Sequence, residues 1–178
     1  MANATATELV NPTRSHWIAL DWNAGELDIS KEELWPNVRA TWRGQELTAE
    51  LEASRYRHSE GMSEWRVFVR GARNPEGYGL ELSDVARSKL NDACVPLVRE
   101  WLESDEYPAA RARTFAHTLA REVRDAGTRE DYRAALAIEK FAGELVPEDH
   151  ENLTRALELR LESYRILDRT PAGVPQEV

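Results

Sequence analysis

Arg113, His117, Arg121 and Arg124 come nearest to a binding device in this sequence. They fall at i, i+4, i+8 and i+11, along one side of a helix. Such a stripe offers guanidinium groups to phosphates, to an acidic protein surface or to nucleic acid. The plainer reading is the solvated face of an amphipathic helix, with Glu122 and Asp125 near enough to balance it. A second group is Arg39, Arg43, Arg66 and Arg70, with Phe68 among them. On adjacent strands these would form a basic platform with a stacking ring, as in some single-stranded RNA binders. Glu46, Glu50 and Glu52 are interleaved, so neutralising cross-strand pairs are expected instead, and no RNP1 pattern is present.

Five of the six tryptophans lie in the first 65 residues. Trp42 and Trp65 fall in phase with apolar neighbours and read as core. Trp17, Trp22 and Trp35 have no such phase and could line a groove at a sheet edge. The histidines are His16, His58, His117 and His150. No pair has the i,i+4 spacing of a helical metal site and no HExxH occurs, so neither a metal nor a cofactor is expected. Walker A, GxGxxG and GxSxG are missing, and no catalytic residue is assigned. Cys94 sits on an apolar stripe and reads as a buried structural thiol. The paired carboxylates Glu32-Glu33 and Asp105-Glu106 read as exposed and charged.

The elements that must carry these residues are legible from periodicity. Around Gly44-Gln45 the residue types mirror one another: Arg43 with Glu46, Thr41 with Thr48, Arg39 with Glu50 and Asn37 with Glu52. A two-residue hairpin loop of type II′ at Gly44-Gln45 would bring them opposite one another. Residues 46–57 are rich in helix formers, but Leu47, Ala49, Leu51 and Ala53 alternate with period 2 and predict a strand. Trp65, Val67 and Val69 alternate with Arg66, Phe68 and Arg70 in another strand, and Tyr78, Leu80 and Leu82 suggest one more. A short strand is expected at residues 16–22, ended by Asn23-Ala24-Gly25. Ser30 to Glu33 has capping-box spacing for a brief helix stopped by Pro36.

At Ser83, an expected N-cap, the period changes to about 3.6. Ala86, Leu90, Ala93, Cys94, Leu97 and Trp101 form a stripe to cover the sheet, and Pro96 should kink or divide that helix. Three more helices follow. The first, Pro108 to Ala126 with Gly127 as C-cap, carries Ala112, Phe115, Ala116, Leu119, Ala120 and Val123. The second starts at Thr128 and buries Tyr132, Ala135, Ile138, Phe141, Ala142 and Leu145. The third, opened by Pro147, aligns Leu153, Leu157, Leu161 and Tyr164.

The fold class is therefore α+β: a small antiparallel β-meander of three to four strands covered by a helix, then an antiparallel helical region of about three helices. The expected organisation is a flexible N-terminus at 1–15, the meander and its helix at 16–105, the helical region at 106–168 and a flexible tail at 169–178. At 178 residues and 42% hydrophobic content the chain can bury a real core. Residues 1–82 hold 9 basic and 13 acidic side chains, −4, and residues 83–178 hold 14 and 19, −5, which together give the net charge of −9. Acidity spread over both halves disfavours non-specific nucleic-acid or membrane binding. No apolar run approaches the ~18 residues of a membrane span, and no secretory signal is read at the start. A single cysteine fits a reducing, cytoplasmic setting. The 20 Arg against 3 Lys hint at a GC-rich bacterial or phage genome.

These features favour a non-enzymatic interaction or adaptor protein that binds a partner, or itself as a homodimer, through its helical region. The alternatives are an acidic phage or mobile-element decoy of a nucleic-acid-binding protein, a nucleic-acid binder using the Arg stripe, and an enzyme with a Trp-lined pocket.

Overall fold

The computed structural model describes residues 3–13, 15–23, 26–125 and 130–169. Among the described residues, eight antiparallel strands precede four α-helices: β1 (Ala4–Val10), β2 (Trp17–Asn23), β3 (Glu26–Leu34), β4 (Asn37–Trp42), β5 (Gln45–His58), β6 (Gly61–Met62), β7 (Arg66–Arg73), β8 (Gly79–Leu80), α1 (Asp84–Leu102), α2 (Glu106–Asp125), α3 (Glu130–Lys140) and α4 (Pro147–Arg169). The class is α+β, with more strands than the three or four read from the sequence. The chain divides between Arg111 and Ala112, inside α2, into two compact units.

In the first unit, β5 is the central strand, and it is a strand despite its helix-forming composition. One edge carries β7, with β8 beyond it; the other is shared by β4 and β3. Leu34 faces Ala53 and Asn37 faces Glu50, so both strands keep one register across the Trp35-Pro36 gap. Pro36 has no N–H to donate there, but its carbonyl accepts from Leu51 N at 3.0 Å. β1 lies outside β4 and β2 outside β3.

The hairpin turn is displaced by one residue from its expected place. Arg43 and Gly44, not Gly44 and Gln45, are the loop, and both have positive φ, +53° and +77°. That is the type I′ pattern, whose twist matches the flanking strands. Thr41 consequently faces Glu46, Arg39 faces Thr48 and Asn37 faces Glu50. Moving the turn by one residue shifts the pairing by two, and with a side-chain period of two every residue stays on its expected face. Val38, Ala40, Leu47, Ala49, Leu51 and Ala53 are accordingly all buried.

Two other expectations are corrected. Ser30–Glu33 lies in β3 and is not a helix. Leu20 pairs with Ile29 and Ala19 with Lys31, which leaves Ser30 as a bulge whose hydroxyl donates to Ala19 O at 3.3 Å. The extra residue moves the inward phase from Leu27 and Ile29 to Glu32 and Leu34, and this phase slip hid the strand periodicity. Residues 1–15 were expected to be loose, yet Ala4–Val10 forms an edge strand on β4. Its short Ala and Thr side chains carry little apolar signal of their own. Ala24, Gly25 and the Trp22 side chain lie outside the described residues.

The Ser83 hydroxyl caps α1, accepting from Ala86 N at 3.2 Å, and the helix runs unbroken through Pro96. Leu90, Cys94, Val98, Trp101 and Leu102 cover the apolar sheet face, as the stripe implied, with Val98 rather than Leu97 fully buried. The polar flank of α1 also closes the β7 edge. Asn91 Oδ1 accepts from Val69 N at 2.7 Å, and Arg87 Nη1 donates to Val69 O at 3.1 Å and Arg70 O at 2.5 Å. These side chains replace the strand that an open edge would otherwise recruit.

In the second unit, Phe115, Leu119, Val123, Ala134, Ala137, Ile138, Phe141, Leu145, Leu153 and Leu157 are buried. Phe115 and Phe141 meet edge to face at 4.9 Å between centroids. Tyr132, read as core, is instead exposed. Gly127, Thr128 and residues 170–178 lie outside the described residues. Among the described residues no helix is long and apolar enough to cross a membrane.

Candidate functional site

The strongest concentration of chemistry in the first unit surrounds Glu32, which the sequence reading placed at the surface. Its carboxylate is fully buried. β3 aims it inward because the Ser30 bulge puts it in phase with Leu34. Arg55 stands directly across on β5, and Tyr107 and Arg111 reach it from the first turns of α2. His16, just before β2, closes the ring. Oε1 accepts from Tyr107 Oη at 2.7 Å and lies 2.8 Å from His16 Nε2. Oε2 accepts from Arg55 Nη2 at 2.6 Å, Arg55 Nε at 3.0 Å and Arg111 Nε at 3.3 Å. Arg55 also donates to Tyr107 Oη at 2.9 Å and lies 4.6 Å from the Trp65 ring centroid.

Burial alone would push the Glu32 carboxyl up. The His16 hydrogen bond and the Arg55 and Arg111 charges more than reverse this and hold it at about 2. The Tyr107 hydroxyl is pushed well above the usual phenol range, first by burial and then by the Glu32 charge. Each Glu32 oxygen therefore has at least two partners. A carboxylate saturated in this way, and sealed from solvent, is built to hold strands and helix together rather than to take a proton from a substrate.

The α2 candidates lie in the second unit. Arg113, His117, Arg121 and Arg124 are all exposed, so the stripe exists as a surface feature. Arg124 Nε bonds Asp125 Oδ1 at 2.8 Å, and that hydrogen bond holds the Asp125 carboxyl below its ordinary value. His58 is exposed, His150 half-buried, and Cys94 buried, its thiol pushed up to about 11 by that burial. No group of three or more His, Cys, Asp or Glu among the described residues is placed to hold a metal ion.

Of the four sheet arginines singled out in the sequence, Arg39 and Arg70 pair with carboxylates, with other partners than the displaced hairpin predicted, and Arg43 and Arg66 lie over aromatic rings. Arg39 bonds Glu8 at 2.8 Å, Arg70 bonds Glu52 at 3.0 Å and Arg73 bonds Glu50 at 2.6 Å. Arg66 lies over Phe68 and Arg43 over Trp42, each 5.3 Å from the ring centroid. Trp17 and Trp35 are both partly exposed. Trp17 flanks Lys31, whose ammonium also meets Tyr56 at 5.1 Å and pairs with Glu33. Trp35 instead lines a separate cleft with Asn37, Thr48, Glu50, Arg70 and Arg73, so the two do not form one groove. Comparison with protein-family models, curated proteins and solved structures finds no match to this chain.

Proposed function

We propose that this protein is a non-enzymatic, cytosolic interaction or adaptor protein that binds a protein partner, or a second copy of itself, through its helical unit. One observation supports the reading most strongly. After burying a full core, these helices still expose large apolar side chains: Tyr132 at 70%, Leu136 at 46%, Leu159 at 65% and Ile166 at 58%. Tyr132 and Leu136 are one turn apart on α3. Leu159 and Ile166 are two turns apart on α4, on the side away from buried Leu153 and Leu157. Paired apolar positions on a second helix face are what a partner covers. The saturated Glu32 cluster lends no support to an enzyme, and the alternating Arg–Glu pairs of the sheet lend none to an acidic decoy.

The test compares the wild type with a Leu159→Arg/Ile166→Arg double variant. Light scattering reports self-association, and capture from host extract reports a partner. The expected result is a dimer or a reproducible captured protein that the double variant loses while its circular dichroism is unchanged. A monomer that captures nothing sensitive to these substitutions overturns the reading. The exposed α2 stripe keeps a second reading in play, nucleic-acid binding through Arg113, Arg121 and Arg124. Absence of binding even at low salt removes it.

A further inference from the structure

The sheet face opposite α1 carries a cleft of about 440 Å³, lined by Trp35, Asn37, Thr48, Glu50, Arg70 and Arg73. This is within the size range of small-ligand sites, roughly 300–1,000 Å³. The register explains its composition. Asn37 faces Glu50 across β4 and β5, and Thr48 faces Arg73 across β5 and β7. Leu51 pairs with Val69 and Glu50 with Gly71, which leaves Arg70 as a bulge. The bulge sets Arg70 and Gly71 on the same face, and bulges commonly re-aim a side chain in this way. Gly71 lies beneath the Glu50 carboxylate: a Cβ there would be 3.3 Å from Glu50 Oε2.

The charges in and beside the cleft cancel in pairs. Arg73 Nε donates to Glu50 Oε1 at 2.6 Å, and Arg70 Nη1 donates to Glu52 Oε2 at 3.0 Å. An anionic ligand would be repelled by the Glu50 and Glu52 carboxylates beside the arginines, and a cationic ligand by the Arg70 and Arg73 guanidiniums. A neutral ligand rich in hydroxyl groups meets neither obstacle. One hydroxyl can accept from a guanidinium N–H while its neighbour donates to the paired carboxylate, and the Asn37 amide and Thr48 hydroxyl supply further donors and acceptors. The partly exposed Trp35 ring offers an apolar wall for the C–H face of such a ligand.

We propose that this cleft binds a neutral saccharide, one pyranose ring lying against Trp35 with its hydroxyls shared between the Arg–Glu pairs, Asn37 and Thr48. The site belongs to the sheet unit and does not depend on the helical interaction surface. The experiment is a nuclear magnetic resonance titration that follows the tryptophan indole N–H signals. Glucose, galactose, mannose, N-acetylglucosamine and their short oligomers are each added to millimolar concentration, with inorganic phosphate and adenosine monophosphate in parallel. A saturable shift of the Trp35 indole by a neutral sugar, with Trp17 unmoved, is expected. Trp35→Ala should abolish binding, and Asn37→Ala, the gentler change, should weaken it about tenfold for lost hydrogen bonding. The proposal is overturned if no neutral sugar gives a saturable shift, if phosphate or the nucleotide binds more tightly, or if binding survives both substitutions.

Discussion

Removing the charge from Glu32 leaves two guanidinium groups without their shared partner in a closed site. Glu32→Gln is therefore expected to cost about 3–5 kcal/mol in urea unfolding. Tyr107→Phe removes one hydrogen bond and should cost about 1–2 kcal/mol. The pH dependence follows from the same contacts. The folded carboxyl is held at about 2, below its ordinary value of 4.5, so the stabilisation is complete above about pH 4.5 and is lost as pH falls toward 2. The difference between wild type and Glu32→Gln should shrink over that window by on the order of 3 kcal/mol. A difference that stays constant between pH 5 and pH 2.5 contradicts the assignment. This cluster was not legible in the sequence because its members are far apart along the chain, with Tyr107 separated from Glu32 by 75 positions and Arg111 by 79. The one available signal was a carboxylate two residues before Leu34 in the inward phase, and the bulge at Ser30 concealed it.

At the scale of elements, period-2 alternation in β5 and β7 and the capped stripe of α1 were legible because burial alone sets them. The turn was not, since Arg43 at φ +53° is an unfavourable choice that the strand twist imposes. Gly44, at φ +77° with open space around its would-be Cβ, isolates the backbone contribution. Gly44→Ala should cost about 1 kcal/mol, while Gly79→Ala, equally open but without positive φ, should be close to neutral. The protection of β7 by α1 gives a further outcome. Asn91→Leu leaves the buried Val69 N–H without its 2.7 Å acceptor and should cost about 1–3 kcal/mol, seen as a lower denaturation midpoint and faster amide exchange at Val69. An unchanged Val69 exchange rate would mean that the edge is closed by something other than Asn91.

At the scale of the whole molecule, the two units differ in what they leave at the surface. Among the described residues, the sheet unit pairs many of its charges internally, around Glu32 and along the Arg–Glu pairs, and one of its clefts is lined by such pairs. The helical unit keeps apolar side chains exposed. The sequence stripes marked the helical cores but misassigned Tyr132 to them, because periodicity cannot say which of two apolar faces wins burial. The three lysines lie at well-separated positions, Lys31 on β3, Lys89 on α1 and Lys140 on α3. Amine crosslinking with mass spectrometry therefore reports which surface meets a partner or a second copy. Intermolecular crosslinks are expected at Lys140 and should disappear in the Leu159→Arg/Ile166→Arg variant. Intermolecular crosslinks confined to Lys31 and Lys89, or indifferent to that substitution, would contradict the proposed interaction through the helical unit.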